Sequence, residues 1–225
     1  MERIIVGVYG ASGYGKEVMP LVKEHVSKMS NSYELVFIDD SAEKKTLLGY
    51  EVLSFDQFLR KTKVENLFLV VAIANSAIRE KLTTKCLDTN LKILNIRSQN
   101  VIVMDSVSIG SGHILSPFVT LTSDIKIGKS FQANIYSYVA HDCIIGDYVT
   151  FAPGVKCNGN VVIGDHAYLG TGAIIKQGRS DRPLTIGKKA IVGAGAMVTK
   201  SIPDGMTVFG NPAIELTKEN LARRR

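Results

Sequence analysis

His141-Asp142 is the pair of residues in this chain best suited to acid–base work. A neutral imidazole accepts a proton near neutral pH, and a carboxylate beside it can hold its tautomer and orientation. The pair lies in Ser137-Tyr-Val-Ala-His-Asp-Cys-Ile-Ile-Gly-Asp147, where neighbouring units mostly carry Gly, Ser, Thr or Lys at outward places. Gly159 follows eighteen residues after the histidine. A base next to backbone that carries no side chain suits acyl transfer. The base takes a proton from an attacking amine or hydroxyl, and a backbone N–H holds the developing oxyanion. Adjacent residues of a flat strand point to opposite faces, so pairing of His141 with Asp142 requires a corner or a bent backbone.

What must position these groups is a repeat of six. Apolar or small residues recur at Val103, Ile109, Leu115, Leu121, Ile127, Ala133, Val139, Ile145 and onward in register to Ile175, and resume at Ile186, Val192 and Val198 after an insertion around 177–185. A second set sits four places after each beat, including Val107, Val119, Cys143, Val155 and Ala173. This period matches neither a helix nor a plain strand; it marks a parallel β-helix in which three hexads close one triangular coil. The frequent glycine just after the beat, as at Gly128, Gly146 and Gly164, is expected to free the backbone at corners. Two places after Val139, His141 faces outward, and Gly159 stacks one coil away, about 5 Å off by sheet spacing. Cys143 and Cys157 fall on interior positions and read as core rather than nucleophiles. His113 falls on an inward position. His166 falls at a corner, open to coenzyme or water.

The first hundred residues follow another rule. Strand signals over 3–8, 34–38, 67–73 and 91–95 alternate with helical spacing over 16–26, 54–61 and 76–87, which predicts a small doubly wound parallel sheet. Between the first strand and helix stands Gly10-Ala-Ser-Gly-Tyr-Gly15. A glycine loop at a helix N-terminus presents backbone N–H groups to phosphate, so a nucleotide is expected. The spacing is G-x-x-G-x-G rather than G-x-G-x-x-G, which argues against a dinucleotide. Asp39 and Asp40 end the second strand, where a carboxylate either accepts from a ribose hydroxyl or caps the following turn.

Composition narrows the rest. The 225 residues are 45% hydrophobic and 21% charged, with a net charge of +6. Positive charge alone does not separate nucleic acid from phosphorylated small molecules. Arg223-Arg224-Arg225 reads as a solvated tail, so no nucleic-acid partner is expected. Lys176, Arg179, Arg182, Lys188, Lys189 and Lys200 cluster around the insertion and last coils, a rim fit for coenzyme phosphates. Three cysteines without C-x-x-C spacing indicate neither a disulfide framework nor a metal site. The absence of a leader pattern, or of any apolar run near ~18 residues, predicts a cytoplasmic protein with no membrane span.

With both halves assembled, the chain resembles the sugar acyltransferases of the sialic acid O-acetyltransferase and bacillosamine N-acetyltransferase type. The resemblance rests on Tyr9-Gly-Ala-Ser-Gly-Tyr-Gly15, Phe37-Ile-Asp-Asp40, Ala72-Ile-Ala-Asn-Ser-Ala-Ile-Arg79, His141-Asp-Cys-Ile-Ile-Gly-Asp147, Lys156-Cys-Asn-Gly-Asn160 and Phe209-Gly-Asn-Pro-Ala213. It implies an α/β plus all-β chain. A Rossmann-like nucleotide-sugar domain over 1–97 would precede a left-handed parallel β-helix of hexapeptide repeats over 98–225, assembled as a homotrimer and using acetyl-CoA without a metal.

By the same resemblance, His141 is the general base, Asp142 orients it, and the Gly159 N–H binds the thioester oxygen. Asn134 would position the sugar, the backbone near Thr171 and Ala194 would meet the pantetheine arm, and Lys200 is the candidate from the basic cluster for coenzyme binding. Nucleotide-sugar recognition would fall on Gly10, Ser12, Gly13, Tyr14, Gly15, Asp39, Asp40, Ala74 and Asn75. The chain departs from the compared member at Tyr14 and Thr150, both His there. The implied activity is transfer of acetyl to the amine of a UDP- or dTDP-linked 4-amino-4,6-dideoxy sugar by direct attack on the thioester, in the assembly of surface polysaccharide. Alternatives are sugar O-acetylation of the sialic acid type, a non-catalytic nucleotide-sugar binder, and a nicotinamide oxidoreductase using the first domain alone.

Overall fold

The computed structural model describes residues 3–222, so the arginines at 223–225 lie outside the described residues. The chain forms two compact units, residues 1–98 with 111–114, and 99–110 with 115–225.

In the first unit the central strand is β1 (Ile4–Tyr9), flanked by β2 (Tyr33–Ile38) on one side and β5 (Leu67–Val71) on the other, both parallel to it. Between them in sequence lie β3 (Thr46–Leu47), β4 (Tyr50–Leu53) and the helix α2 (Phe55–Leu59); α1 (Gly13–Met29) follows β1, and α3 (Ser76–Asp88) leads to β6 (Lys92–Ile93). The sheet order is β3-β4-β2-β1-β5-β6. Both faces of β1 are covered, which explains its continuous apolar run. Val6 and Val8 pack with Val18, Met19, Val22 and Val26 of α1, while Ile5 and Tyr9 pack with Phe55, Phe58 and Cys86. The chain leaves β1 toward opposite neighbours, so the crevice beyond its carboxyl end is where the loop at 10–15 sits. The β3–β4 hairpin lies outside the strand signals read from sequence. Its turn at Leu48 and Gly49 has positive φ at both residues, +52° and +80°, and makes the sheet's edge pairing antiparallel.

The second unit is a left-handed parallel β-helix. Strands pair with those one coil on: Thr120 with Tyr138 and Tyr138 with Lys156, Ile125 with Cys143, Thr150 with Tyr168. The insertion shifts the pairing without breaking it, since Ile163 meets Ile186, Leu169 meets Val192 and Ile175 meets Val198. The beat residues form the interior columns, and Leu121, Val139, Cys157 and Ile175 are all enclosed. Among the described residues no helix is long and apolar enough to cross a membrane.

The glycines after the beat do a different job from the one expected. Gly128, Gly146 and Gly164 do not have positive φ; a Cβ on Gly146 would stand 2.7 Å from the backbone nitrogen of Asp165, and one on Gly164 would stand 2.6 Å from that of Lys188. They let one coil approach the next. Corner freedom falls two places later, three after the beat, where Ser106, Phe118, Asp124, Ser130, Tyr136, Asp142, Tyr148, Asn160 and His166 adopt φ between 53° and 65°. Each such non-glycine residue costs roughly 1–2 kcal/mol in strain. Backbone hydrogen bonds between coils offset it, such as Asp142 N–H to Ser123 O at 3.2 Å and Tyr148 N–H to Lys129 O at 2.8 Å.

Candidate active site

The left-handed corner at Asp142, φ +57°, resolves how adjacent residues can pair. It turns the carboxylate back onto its neighbour, and His141 Nδ1 lies 2.6 Å from Asp142 Oδ2. An ionised carboxylate only accepts, so Nδ1 carries the hydrogen and Nε2 is left with its lone pair. Both side chains are about half exposed, 49% and 54%.

Gly159 lies against the ring on the next coil. A Cβ built there would stand 2.6 Å from both Cε1 and Nε2 of His141, so only glycine leaves the imidazole in place. The peptide that brings Gly159 here is fixed on every side. Asn160 N–H donates to His141 O at 3.0 Å, Gly178 N–H donates to Gly159 O at 2.9 Å, and Asn158 N–H donates to Ile175 O at 3.3 Å. The Asn158 side chain donates from Nδ2 to Ile175 O at 2.7 Å and accepts from the Tyr138 hydroxyl at 2.9 Å. The Gly159 N–H donates to no acceptor among the described residues. A base with an open lone pair and an open N–H donor thus stand together. Tyr138 and Asn158 carried no signal in the sequence reading; an Asn following the beat, at 134 and again at 158, is the pattern that could have marked them.

Other candidates fall elsewhere on the coil. Asn134 follows the strand Gln132–Ala133, and Thr171 and Ala194 follow Tyr168–Leu169 and Ile191–Val192, strands stacked on one face. They share a corner: Gly195 N–H donates to Thr171 O at 2.8 Å, and Asn134 Nδ2 donates to Phe151 O at 2.9 Å. His141, Gly159 and Lys200 lie at the next corner, after strands of another face. Lys200 lines a cavity of about 370 Å³ with Lys176, Arg179 and Arg182, where Arg179 is held by Asp181 at 2.9 Å through two nitrogens. Lys188 is not part of that lining and pairs with Asp165 at 3.0 Å. His166 stacks on Tyr148, rings 5.2 Å apart. His113 is half-buried rather than enclosed.

In the first unit two of the loop glycines answer to the protein's own packing. Gly10 has φ +120° and abuts Ala72 O, and a Cβ on Gly15 would strike Gly10 O. Gly13 meets nothing within 4 Å, so the opening of α1 has room for an anion. Ser12 caps that helix without a side-chain hydrogen bond, and no acidic residue occupies its first turn. The Tyr14 hydroxyl is enclosed with no hydrogen-bond partner among the described residues, and burial pushes its phenol well up.

Both aspartates have intrachain partners. Asp39 Oδ1 accepts from Ser41 N–H at 3.0 Å and its hydroxyl at 2.8 Å, the turn-capping arrangement, and the carboxylate also lines a cavity of about 380 Å³ with Ala11, Leu47 and Val52. Asp40 accepts from Phe55 N–H at 2.8 Å, the Tyr9 hydroxyl at 2.5 Å and Lys85 at 3.1 Å. Burial pushes the Asp40 carboxyl up, but those three donors together leave it lowered. Asn75 caps α3 through Ile78 N–H, and the carbonyls of Ile73 and Ala74 accept from the buried Arg79 guanidinium. Ser41 and Lys85 were missed, and Tyr9 and Arg79 entered only as the ends of matched motifs with no role of their own; the Asp-x-Ser spacing at 39–41 is the one local cue among them.

Residues 5–86 match the family described as PglD N-terminal domain, and residues 124–159 match bacterial transferase hexapeptide (six repeats). The chain is similar to GDP-perosamine N-acetyltransferase of Escherichia coli O157:H7, 51% identical over 95% of this chain and 97% of that one. Its fold is similar to WeeI from Acinetobacter baumannii AYE, with a TM-score of 0.89 and 57% identity over 96% of this chain and 100% of that one. A histidine-to-asparagine mutant of perosamine N-acetyltransferase from Caulobacter crescentus, in complex with CoA and GDP-perosamine, matches with a TM-score of 0.83 and 28% identity over 95% and 97% of the two chains.

Proposed function

The chain belongs to the hexapeptide-repeat sugar acetyltransferases that carry a PglD N-terminal domain, and from that premise we propose which amine it acetylates and by what groups. It is an acetyl-CoA-dependent nucleotide-sugar N-acetyltransferase. The acceptor in this reading is a GDP-linked 4-amino-4,6-dideoxy sugar of the perosamine type. The Escherichia and Caulobacter relatives support GDP over the UDP or dTDP expected from sequence.

One observation carries the mechanism: the open Nε2 of His141 lies against the side-chain-free Cα of Gly159, whose own N–H is unengaged. Asp142 holds Nδ1–H, so Nε2 takes the proton as the sugar amine attacks the thioester carbon, which contributes about 10² to 10⁴ in rate. The oxyanion formed on the thioester oxygen accepts from Gly159 N–H, a donor typically worth about 10² to 10³. Collapse breaks the carbon–sulfur bond; the departing thiolate takes the proton back from Nε2, leaving the amide and free CoA. No enzyme thiol forms a bond, in keeping with the enclosure of Cys143 and Cys157.

Room at Gly13 and the cavity beside Ala11 and Asp39 support the first unit as the nucleotide's site. The cavity at Lys176, Arg182 and Lys200 supports a seat for coenzyme phosphates. Asn134, Thr171 and Ala194 share one corner, while His141, Gly159 and Lys200 share the next. That division supports a homotrimer in which one copy's corner faces another's.

The test presents acetyl-CoA with GDP-, UDP- and dTDP-linked 4-amino-4,6-dideoxy sugars, follows thiol release and identifies the product by mass. Release with the GDP sugar, yielding an N-acetyl product, is the expected result. Release confined to a UDP or dTDP sugar overturns the nucleotide assignment, and an O-acetyl product overturns the amine.

A further inference from the structure

We infer that Cys143 is a positioning residue for the oxyanion donor, its thiol fixing and polarising the Asn158–Gly159 peptide from inside the coil. This rests on the reading that Gly159 N–H receives the thioester oxygen. The Cys143 thiol is enclosed, and its Sγ lies 3.3 Å from the carbonyl oxygen of Asn158. Its other acceptor, His141 O, is more distant at 3.6 Å. Asn158 C=O and Gly159 N–H are the two ends of one peptide unit. A hydrogen bond accepted at the carbonyl shifts density toward oxygen and strengthens donation from the N–H.

Cys157, also enclosed, is the second thiol at this spot. Its Sγ lies 3.8 Å from the same Asn158 carbonyl oxygen, so Cys143 at 3.3 Å is the nearer donor. The order is therefore Cys143 S–H to Asn158 O, and Gly159 N–H outward to the site. Both thiols act from the side of the peptide opposite the substrate and touch no reacting atom. The Asn158 side chain, Gly159 O and Asn160 N–H are engaged elsewhere, so the polarised N–H is the group left to face the thioester.

Thiol donors are weak, and the effect is correspondingly modest. A link that changes the strength of the next bond by 10–30%, acting on a donor worth 10² to 10³ in rate, changes kcat by about twofold to eightfold. The discriminating pair is Cys143→Ala and Cys143→Ser. Both remove the sulfur and leave similar volumes, but only serine keeps a donor. A packing role alone favours alanine, because a buried hydroxyl costs more than a methyl. A positioning role favours serine.

With acetyl-CoA and GDP-perosamine both varied, Cys143→Ala is expected to lose about twofold to eightfold in kcat, by the polarisation argument above, with either KM unchanged. Cys143→Ser should remain within about twofold of the native enzyme despite melting no later than the alanine variant. The Gly159 amide proton, read by NMR, should move upfield in the alanine variant and return in the serine variant. Equal kcat in the two variants, or activity that follows melting temperature while the Gly159 amide stays still, overturns the inference. Should Cys143→Ala fail to fold, the native protein decides: a Cys143 S–H infrared stretch at the position of a free thiol overturns it, and a lowered one sustains it. An enzyme that transfers no acetyl to any nucleotide aminosugar defeats the proposed function instead, and the amide shift and thiol stretch still settle the hydrogen bond.

Discussion

Replacing Gly159 by alanine separates catalysis from folding at the site. The added Cβ would stand 2.6 Å from Cε1 and Nε2 of His141 and 3.0 Å from Nδ1, closer than carbon tolerates. What yields is a half-exposed imidazole rather than backbone, and the φ of Gly159 is not in the left-handed region. Rotating the ring off its preferred rotamer costs about 0.5–1.5 kcal/mol, so the variant is expected to fold and melt within several degrees of the native protein. The rotation breaks the 2.6 Å contact of Nδ1 with Asp142 and carries Nε2 away from its place beside Gly159. A displacement of about 1 Å at a reacting group costs on the order of 10² in rate, and loss of the base costs up to about 10⁴. Thiol release with saturating acetyl-CoA and GDP-perosamine should therefore fall by at least about 10² in kcat. A folded Gly159→Ala enzyme within threefold of native kcat refutes the placement of the ring against this glycine during turnover. Gly146→Ala is the control, because its Cβ would meet backbone of the next coil, and that substitution should lower the melting temperature sharply.

Three further outcomes follow from the same geometry. Asp142→Asn keeps a residue that tolerates φ +57° but replaces an obligate acceptor with an amide, so kcat should drop by about 10-fold or more at nearly unchanged stability, checked by steady-state kinetics beside calorimetry. Asp165 is held below the usual carboxylate range first by Lys188 and then by the backbone N–H of Asp147; a depressed carboxyl stabilises the fold above its unfolded pKa near ~3.9 and loses that contribution as pH falls through its folded value, so native stability should decline with acid below about pH 4 and Asp165→Asn should flatten the decline in acid melting curves. Tyr9→Phe removes the donor at 2.5 Å from Asp40 and is expected to cost about 1.5–3 kcal/mol in urea unfolding, the range for hydrogen bonds to a charged group.

The coil was legible because its rule is periodic. A beat of six fixes which residues face inward, and from Val139 the outward position of His141 and its stacking on Gly159 follow by counting. The corners were misassigned for a physical reason: glycine suggests conformational freedom, yet at Gly146 and Gly164 it serves close approach between coils, while Asp142 and Tyr148 take the left-handed angles at a cost that inter-coil hydrogen bonds offset. The pairing of His141 with Asp142 depends on one such angle and could not be read from strand alternation. In the first unit the β1–loop–α1 unit was legible from Gly10 to Gly15. The β3–β4 hairpin was not, since two-residue and four-residue strands carry too little pattern. Asp39 and Asp40 show the limit of local reading: position at a strand end marked both, but only tertiary contacts reveal that Asp40 is tied to Tyr9, Lys85 and Phe55, and that both carboxylates line open cavities.

The central claim is that His141 is the base for acetyl transfer to a GDP-linked amine, and His141→Asn tests it most directly. Thiol release from acetyl-CoA with GDP-perosamine should fall by about 10² to 10⁴ in kcat, with the melting temperature and binding of both substrates retained. A folded His141→Asn enzyme that turns over at the native rate would show that the proton leaves by another route and contradict the account.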